Sequence, residues 1–456
     1  MASAAEQLAA NLNFGAFSKA TELKKRIWFT VIALIVYRIG CYIPLPGIDP
    51  NALAQMFQRQ SGGILDMFNM FSGGALQRMT IFALNIMPYV SASIIVQVMT
   101  IVSPQLEALK KEGEAGRKKM TQYTRYLTVF LAGVQAYGLA ASLMRSQGVV
   151  IEPGIVFLAT TVVTMTGGTI FLMWLGEQIT SRGIGNGISL IIFAGIVARF
   201  PSLIGQTLEQ ARTGATNPLL IIFFAVFTVA LVGFIVFMER AQRRILVQYP
   251  KRQQGNRMYG GESSHLPLKL NTSGVIPPIF ASSLLLLPLT ITGFLGGSQG
   301  VTTGGGWFRD GLNWVIQQIG HGKPLYMVLY AVGIVFFCFF YTAIVFNPQE
   351  TAENLRKYGG FIPGTRPGKS TADYLDKVLT RITVVGSAYL VVVCLIPEIV
   401  ISQFSLPFYF GGTSLLIMVT VTMDTVAQIH SHLLAHQYEG LIKRSKLRGA
   451  RSNRGI

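Results

Sequence analysis

The chain has 456 residues, 51% hydrophobic and 13% charged, with 38 Lys+Arg against 20 Asp+Glu and a net charge of +18. An ordinary soluble domain carries about 25% charge, so neither a soluble globular fold nor a disordered chain fits, and the positive balance alone does not make a soluble nucleic-acid binder. What remains is an all-α polytopic membrane protein, in which charge has to be read by position.

Residues 1–26 lack the basic-then-apolar order of a cleavable signal peptide and read as a cytoplasmic N-terminus. A bilayer core of about 30 Å needs about 20 apolar residues at helical rise. Ten stretches meet that length: 27–45, 76–103, 126–144, 154–176, 187–204, 217–238, 273–296, 325–346, 382–401 and 408–427. One apolar segment is too short: GGILDMFNMFSGG, residues 62–74, carries Asp66 and Asn69 between glycine pairs. It reads either as an interfacial loop or as a re-entrant half-helix, the latter tolerable only inside protein or a watery cavity. Cys41, Cys338 and Cys394 are scattered through apolar runs, with neither disulfide nor metal spacing.

Charge then sets orientation. Residues 1–26, 104–125, 179–186, 239–270, 347–381 and 428–456 together hold 30 of the 38 Lys+Arg. Basic residues near span ends stay cytoplasmic, so both termini are expected inside. Ten spans divide into five plus five, and an odd number per half implies an inverted repeat. The expected parts are a first half over 27–210, a second half over 211–427 with loops 239–270 and 347–381, and a basic cytoplasmic tail over 428–456.

Enzyme and transporter signals are weak. The spans carry charge only toward their ends, at Arg38, Glu398 and Asp424, where snorkelling or pairing suffices. Gly183-Ile184-Gly185-Asn186-Gly187 has no following Lys-Ser/Thr, so it is a tight turn and no phosphate loop. His430 and His432 point apart on a helix, while His432, His436 and Glu439 share a face; solvated interfacial residues explain them better than a metal site. No catalytic group, metal site or cofactor is expected. Two basic loops of about 30 residues exceed what connections need. In the second, Pro363-Gly364 and Pro367-Gly368 hold Arg366 up, and Ser370 with Asp373 reads as a capping box.

Several long motifs stand in order along the chain: DMFNMFSGGAL (66–76), KKEGEAGRKK (110–119), LGEQITSRGIGNGISL (175–190), KRQQGNR (251–257), HLPLKLN (265–271), GVIPPIFASS (274–283), NPQETAENLRK (347–357), GTRPG (364–368) and FYFGGTSLLI (408–417). Through them the chain resembles the SecY family of bacterial protein-translocase channel subunits, from about residue 20 to 445. The resemblance implies ten helices in two pseudosymmetric inverted halves around an hourglass pore. It makes a plug of Ile64, Leu65, Asp66, Met67, Phe68, Asn69, Met70 and Phe71, and a pore ring of Ile86, Val90, Ile188, Ile192, Ile279 and Ile417. It places a lateral gate at Ser91, Gln97, Asn271 and Ser283, and docking contacts for the SecA ATPase and the ribosome, through ribosomal RNA, at Arg243, Arg244, Arg252 and Arg366. Other implied partners are SecE-like and SecG-like membrane subunits, signal peptides and precursor chains, and anionic lipids; the implied location is the bacterial inner membrane. Ile86/Val90 and Ile188/Ile192 are i,i+4 pairs and share helix faces. Two positions depart from the family: Val90 where isoleucine is usual, and Asn85 where glycine is common beside Met87-Pro88-Tyr89. A solute transporter or ion channel has the same hydropathy and is the alternative; a scaffold subunit is a third reading.

Overall fold

The protein is described from a computed structural model covering residues 21–59, 69, 72–145, 148–214, 218–249, 252–254, 257–259, 263–295, 323–404 and 411–452. In chain order the elements are α1 (Thr21–Gly40), α2 (Pro50–Arg59), α3 (Met87–Val102), α4 (Pro104–Lys111), α5 (Glu114–Arg145), α6 (Ile155–Arg182), α7 (Gly187–Arg212) and α8 (Pro218–Arg240). Strands β1 (Gln242–Gln248), β2 (Arg252–Gln254), β3 (Arg257–Tyr259) and β4 (Ser263–Lys269) follow. The chain continues with α9 (Ile276–Leu295), α10 (Pro324–Val345), α11 (Pro348–Lys357), α12 (Lys369–Phe404) and α13 (Gly412–Ser452). Every predicted span overlaps a helix. Among the described residues seven helices are long and apolar enough to cross a bilayer, or eight if the bent α3–α4 pair counts as one.

The second span begins later than its hydropathy indicates. Residues 72–86 are turns, and helix starts only at Met87, where Pro88 in the first turn suits helix initiation. Within this stretch Gly73, Gly74, Met79 and Asn85 all have positive φ, at 64°, 86°, 43° and 50°. Apolar composition is a property of side chains and does not report such backbone. The chain leaves α3 at Ser103-Pro104, where it turns by 103° into α4, because proline lacks the amide that would continue the ladder.

Asn85 now has a physical account. At φ 50° it sits in the left-handed region, which glycine adopts freely and asparagine best among residues with a Cβ. Asn85→Val should therefore lower stability by about 1–3 kcal/mol, and Asn85→Gly should not. Thermal unfolding of the two variants checks this, and equal transitions would contradict it.

The largest apolar cluster is drawn from α1, the 72–86 turns, α3, α6, α7, α8, α9, α10, α12 and α13, and a second, around Leu53, Met79, Leu143 and Met165, joins α2, α5 and α6. Phe130, Val163, Val229 and Phe237 instead project outward, as expected where lipid is the solvent. All three cysteines are buried and free.

The loops at 239–270 and 347–381 are not separate, and the first is not helical. Strands β1 and β4 pair antiparallel from Gln242 with Lys269 to Gln248 with Ser263, and β2 pairs with β3. In β1 the buried positions are Ile245 and Val247, a period of two that half-buried strands require. They pack with Leu268, Ile362, Leu375, Val378 and Ile382. A bridge between Gln248 and Phe361, with hydrogen bonds of 2.9 Å each way, ties the two loops together. Gly360 permits this, since a Cβ there would stand 3.1 Å from Val247 and 3.0 Å from Tyr249. The expected capping box is not formed. Helix α12 starts at Lys369, ahead of Ser370, and the Gly368 carbonyl accepts the first bonds from the Thr371 and Ala372 amides, each 3.1 Å.

Candidate functional site

The six expected ring residues converge on the central cluster. Ile86, Val90, Ile192 and Ile417 are buried in it, and Ile188 and Ile279 pack against it partly buried. They come from α3, α7, α9 and α13; α3 touches α9 and α7 touches α13. Ile86 is the residue capping α3, and its carbonyl accepts from the Val90 amide at 3.0 Å. The cluster contains many other side chains, so burial alone does not single these six out.

The glycine turn before α7 sets the position of Ile188 and Ile192. Asn186 caps α7, its Oδ1 accepting from the Ile188 amide at 3.1 Å. The Ile184 amide donates to Thr30 Oγ1 of α1 (3.1 Å), and the Gly185 amide donates to Gln428 Oε1 of α13 (2.8 Å). Gly185 has φ 87°, and a Cβ on Gly187 would strike the Gly176 carbonyl oxygen. The sequence motif reads as a turn; that the turn pins α7 to both ends of the chain is visible only in three dimensions. Thr30 and Gln428 carried no sequence signal for this.

The expected gate residues divide. Gln97 and Ser283 lie on α3 and α9, which pack together. Gln97 Nε2 donates to Ser93 Oγ at 3.4 Å, while Gln97 Oε1 and Ser283 Oγ are buried with no hydrogen-bond partner among the described residues. Ser91 is half-buried on α3. Asn271 is 5% exposed. Its Nδ2 donates to Glu239 Oε1 of α8 at 2.7 Å and to the Gly274 carbonyl at 3.1 Å. Its Oδ1 accepts from Ser273 Oγ and the Gly274 amide, both 3.1 Å. Asn271 thus ties the β4–α9 junction to the end of α8. Glu239 went unmarked in the sequence because it opens a basic run; a carboxylate among so many Lys and Arg was the available signal.

Of the expected plug, only Asn69 lies within the described residues; Ile64, Leu65, Asp66, Met67, Phe68, Met70 and Phe71 lie outside them. Asn69 is 1% exposed. Its Nδ2 donates to Gln77 Oε1 (3.2 Å), and its Oδ1 accepts from the Gln77 amide (3.0 Å). Arg243, Arg244 and Arg366 are exposed on the fused basic loops, whereas the Arg252 side chain lies outside the described residues. The tip is anchored from both sides. Thr365 Oγ1 donates to the Ile362 carbonyl at 3.1 Å, and Thr371 Oγ1 donates to the Arg366 carbonyl at 2.9 Å. His436 and Glu439 also lie outside the described side chains, so their trio with His432 is not placed.

A helical membrane body with an apolar centre and a folded basic module on one side defines a polytopic channel-type protein. The SecY family model matches residues 80–426. The protein translocase subunit SecY of Vibrio cholerae is 55% identical over 434 residues, 95% of this chain and 96% of that one. Two solved channels share the fold. A SecY channel whose plug domain stabilises the closed state and maintains a membrane seal superposes with TM-score 0.64 at 19% identity, over 90% of this chain and 92% of that one. Sec61 in the canine ribosome–channel complex superposes with TM-score 0.60 at 18% identity, with the same coverages. The chain belongs to the SecY family. It is a protein-conducting channel subunit of a bacterial membrane.

Proposed function

We propose that this chain conducts unfolded, signal-bearing precursors through a ring of Ile86, Val90, Ile188, Ile192, Ile279 and Ile417. Membership of the SecY family carries the reading, and the packing of all six in or against one apolar cluster is consistent with it. β-branched side chains are stiff at χ1 and form a narrow apolar constriction that excludes ions by dewetting. Residues 64–71 plug the outer funnel at rest. The halves 27–210 and 211–427 part along the α3–α9 seam to release hydrophobic segments into lipid. The buried, unpartnered oxygens of Gln97 and Ser283 support a gate there, because each such group costs about 1–3 kcal/mol while the seam is shut. That cost falls on the closed state and eases opening.

Both termini face the cytoplasm, as does the module built from 239–270 and 347–381. Arg243, Arg244, Arg252 and Arg366 on it receive the SecA ATPase or the ribosome, with planar guanidinium forks suited to carboxylate and phosphate. Ribosomal contacts of this kind are backbone electrostatics and weaken with salt. SecE-like and SecG-like subunits complete the complex, and anionic lipids contact the cytoplasmic basic residues. Neither nucleotide nor metal chemistry is assigned to this chain; energy comes from the docked motor or from chain elongation.

Vesicles reconstituted with the full chain and its co-purifying membrane subunits test the reading. They should be ion-tight at rest and take up a signal-bearing precursor only with SecA and ATP. Gradient-driven flux of a small solute without SecA would establish the transporter alternative instead.

A further inference from the structure

The Gly183-Ile184-Gly185-Asn186-Gly187 turn is held more firmly than a connection between two helices requires. Gly183, Ile184, Gly185 and Gly187 are all buried. Gly183 lies closer to α1 than any side chain would allow, since a Cβ there would stand 2.5 Å from Thr30 Oγ1. Gly185, at φ 87°, adopts a backbone that favours glycine and has α13 at contact distance: a Cβ there would stand 3.4 Å from Thr425 Oγ1. An apolar patch of Leu23, Ile27, Ile184, Ile429 and Leu433 packs the same three elements together.

The two side-chain bonds to this turn differ in what they join. Thr30, which accepts from the Ile184 amide, belongs with the turn to the proposed first half, 27–210. Gln428 lies on α13, the last helix of the second. The 2.8 Å bond from the Gly185 amide to Gln428 Oε1 therefore crosses from one half to the other. It does so next to ring residues on both sides. Asn186, adjacent to Gly185, caps α7 through the Ile188 amide, and Ile188 and Ile192 lie in the opening turns of that helix. On α13, Ile417 precedes Gln428 by about three turns of the same helix.

We propose that Gln428 is a positioning residue, the strut by which α13 sets the aim of α7. Through it Ile188 and Ile192 of one half are held in register with Ile417 of the other. The turn has little room to absorb a displacement, because its glycines are already in backbone contact with their neighbours and close-packed interiors transmit strain. A shift at Gly185 passes into the first turn of α7. Gln428 itself is exposed, so its bulk contributes little to the fold; the acceptor oxygen is the part that acts. Removing it leaves the amide of a buried glycine without its acceptor, which costs more than an ordinary hydrogen bond contributes. This inference rests on the reading of the six residues as a ring.

Two variants of similar shape separate the acceptor from the bulk. Gln428→Met keeps the length of the side chain and removes the acceptor, whereas Gln428→Glu keeps an acceptor oxygen at the same reach. Both are read in the full chain with its co-purifying subunits. In hydrogen–deuterium exchange, the peptide containing Gly185 should exchange about fivefold or more faster in Gln428→Met, the factor expected from losing one hydrogen bond. In planar bilayers the resting ion conductance of the same variant should rise by a similar factor. Gln428→Glu should restore both values. Ser431→Ala, which removes an α13 hydroxyl bonded within its own helix to the Gln428 carbonyl at 2.8 Å, should alter neither.

Unchanged exchange in Gln428→Met overturns the proposal, and so does faster exchange without a rise in conductance, because the bond would then hold the turn and not the ring. A rise shared equally by Gln428→Glu or Ser431→Ala overturns it as well, since any disturbance of α13 would then suffice. If Gln428→Met cannot be purified folded, Gln428→Ala decides by the same two measurements. The ring is tested separately by Ile86→Gly with Ile192→Gly. If that variant stays ion-tight, the ring and the strut fall together; if it leaks and Gln428→Met does not, the strut alone falls.

Discussion

Arg366→Glu should reduce SecA-driven precursor uptake by about thirtyfold or more, with the thermal transition of the purified chain unchanged. Reversing a charge in a docking contact costs about 2–5 kcal/mol or more when the opposing group is left unpaired, whereas an exposed side chain contributes little to the fold. The backbone at Arg366 does not depend on its side chain. Gly364 and Gly368 supply the turns at φ 85° and 112°, Thr371 holds the Arg366 carbonyl, and Ile362, 4% exposed, roots the tip in the apolar floor of the module. The tip therefore survives the substitution while its charge is inverted. If these basic residues served only to orient the chain in the membrane, uptake by the mature, correctly inserted protein would not change.

Ile86→Gly with Ile192→Gly should make the resting channel leak ions. The hydrophobic constriction that blocks ions by dewetting would lose two of its six side chains, one from α3 and one from α7. Stability must be separated from leakage, because removing a buried isoleucine costs about 2–5 kcal/mol and glycine within a helix about 1 kcal/mol more. Ile191→Gly supplies the control. Ile191 is fully buried on the same helix, one residue and about 100° around from Ile192. It should cost as much in thermal unfolding as Ile192→Gly alone and leave resting conductance unaltered. Equal leakage from the Ile191 variant, or none from the ring variant, would reassign the constriction.

The span positions and the family motifs were legible because each is written in contiguous residues. A run of about 20 apolar residues needs no partner to be recognised. Less was legible where backbone conformation overrides composition. Residues 76–86 are apolar enough to read as span, yet Met79 and Asn85 adopt positive φ and the helix waits for Met87. The β1–β4 ribbon was missed for a related reason: its alternation covers only seven residues, and its two flanking arginines masked the buried Ile245 and Val247. No local pattern marked that the Asn271 amide meets Glu239 of α8.

By itself the sequence determined that this is a polytopic membrane protein, where its spans lie, and which of its residues belong to a known channel family. Hydropathy, charge and motif are properties of short segments. The tertiary structure decided what meets what: that loops about 100 residues apart share one apolar floor, that Gly185 answers to Gln428, and that Arg38 meets the Gly73 carbonyl. Such contacts depend on how helices lean and where glycines let backbones approach, and no local pattern along the chain encodes the partner.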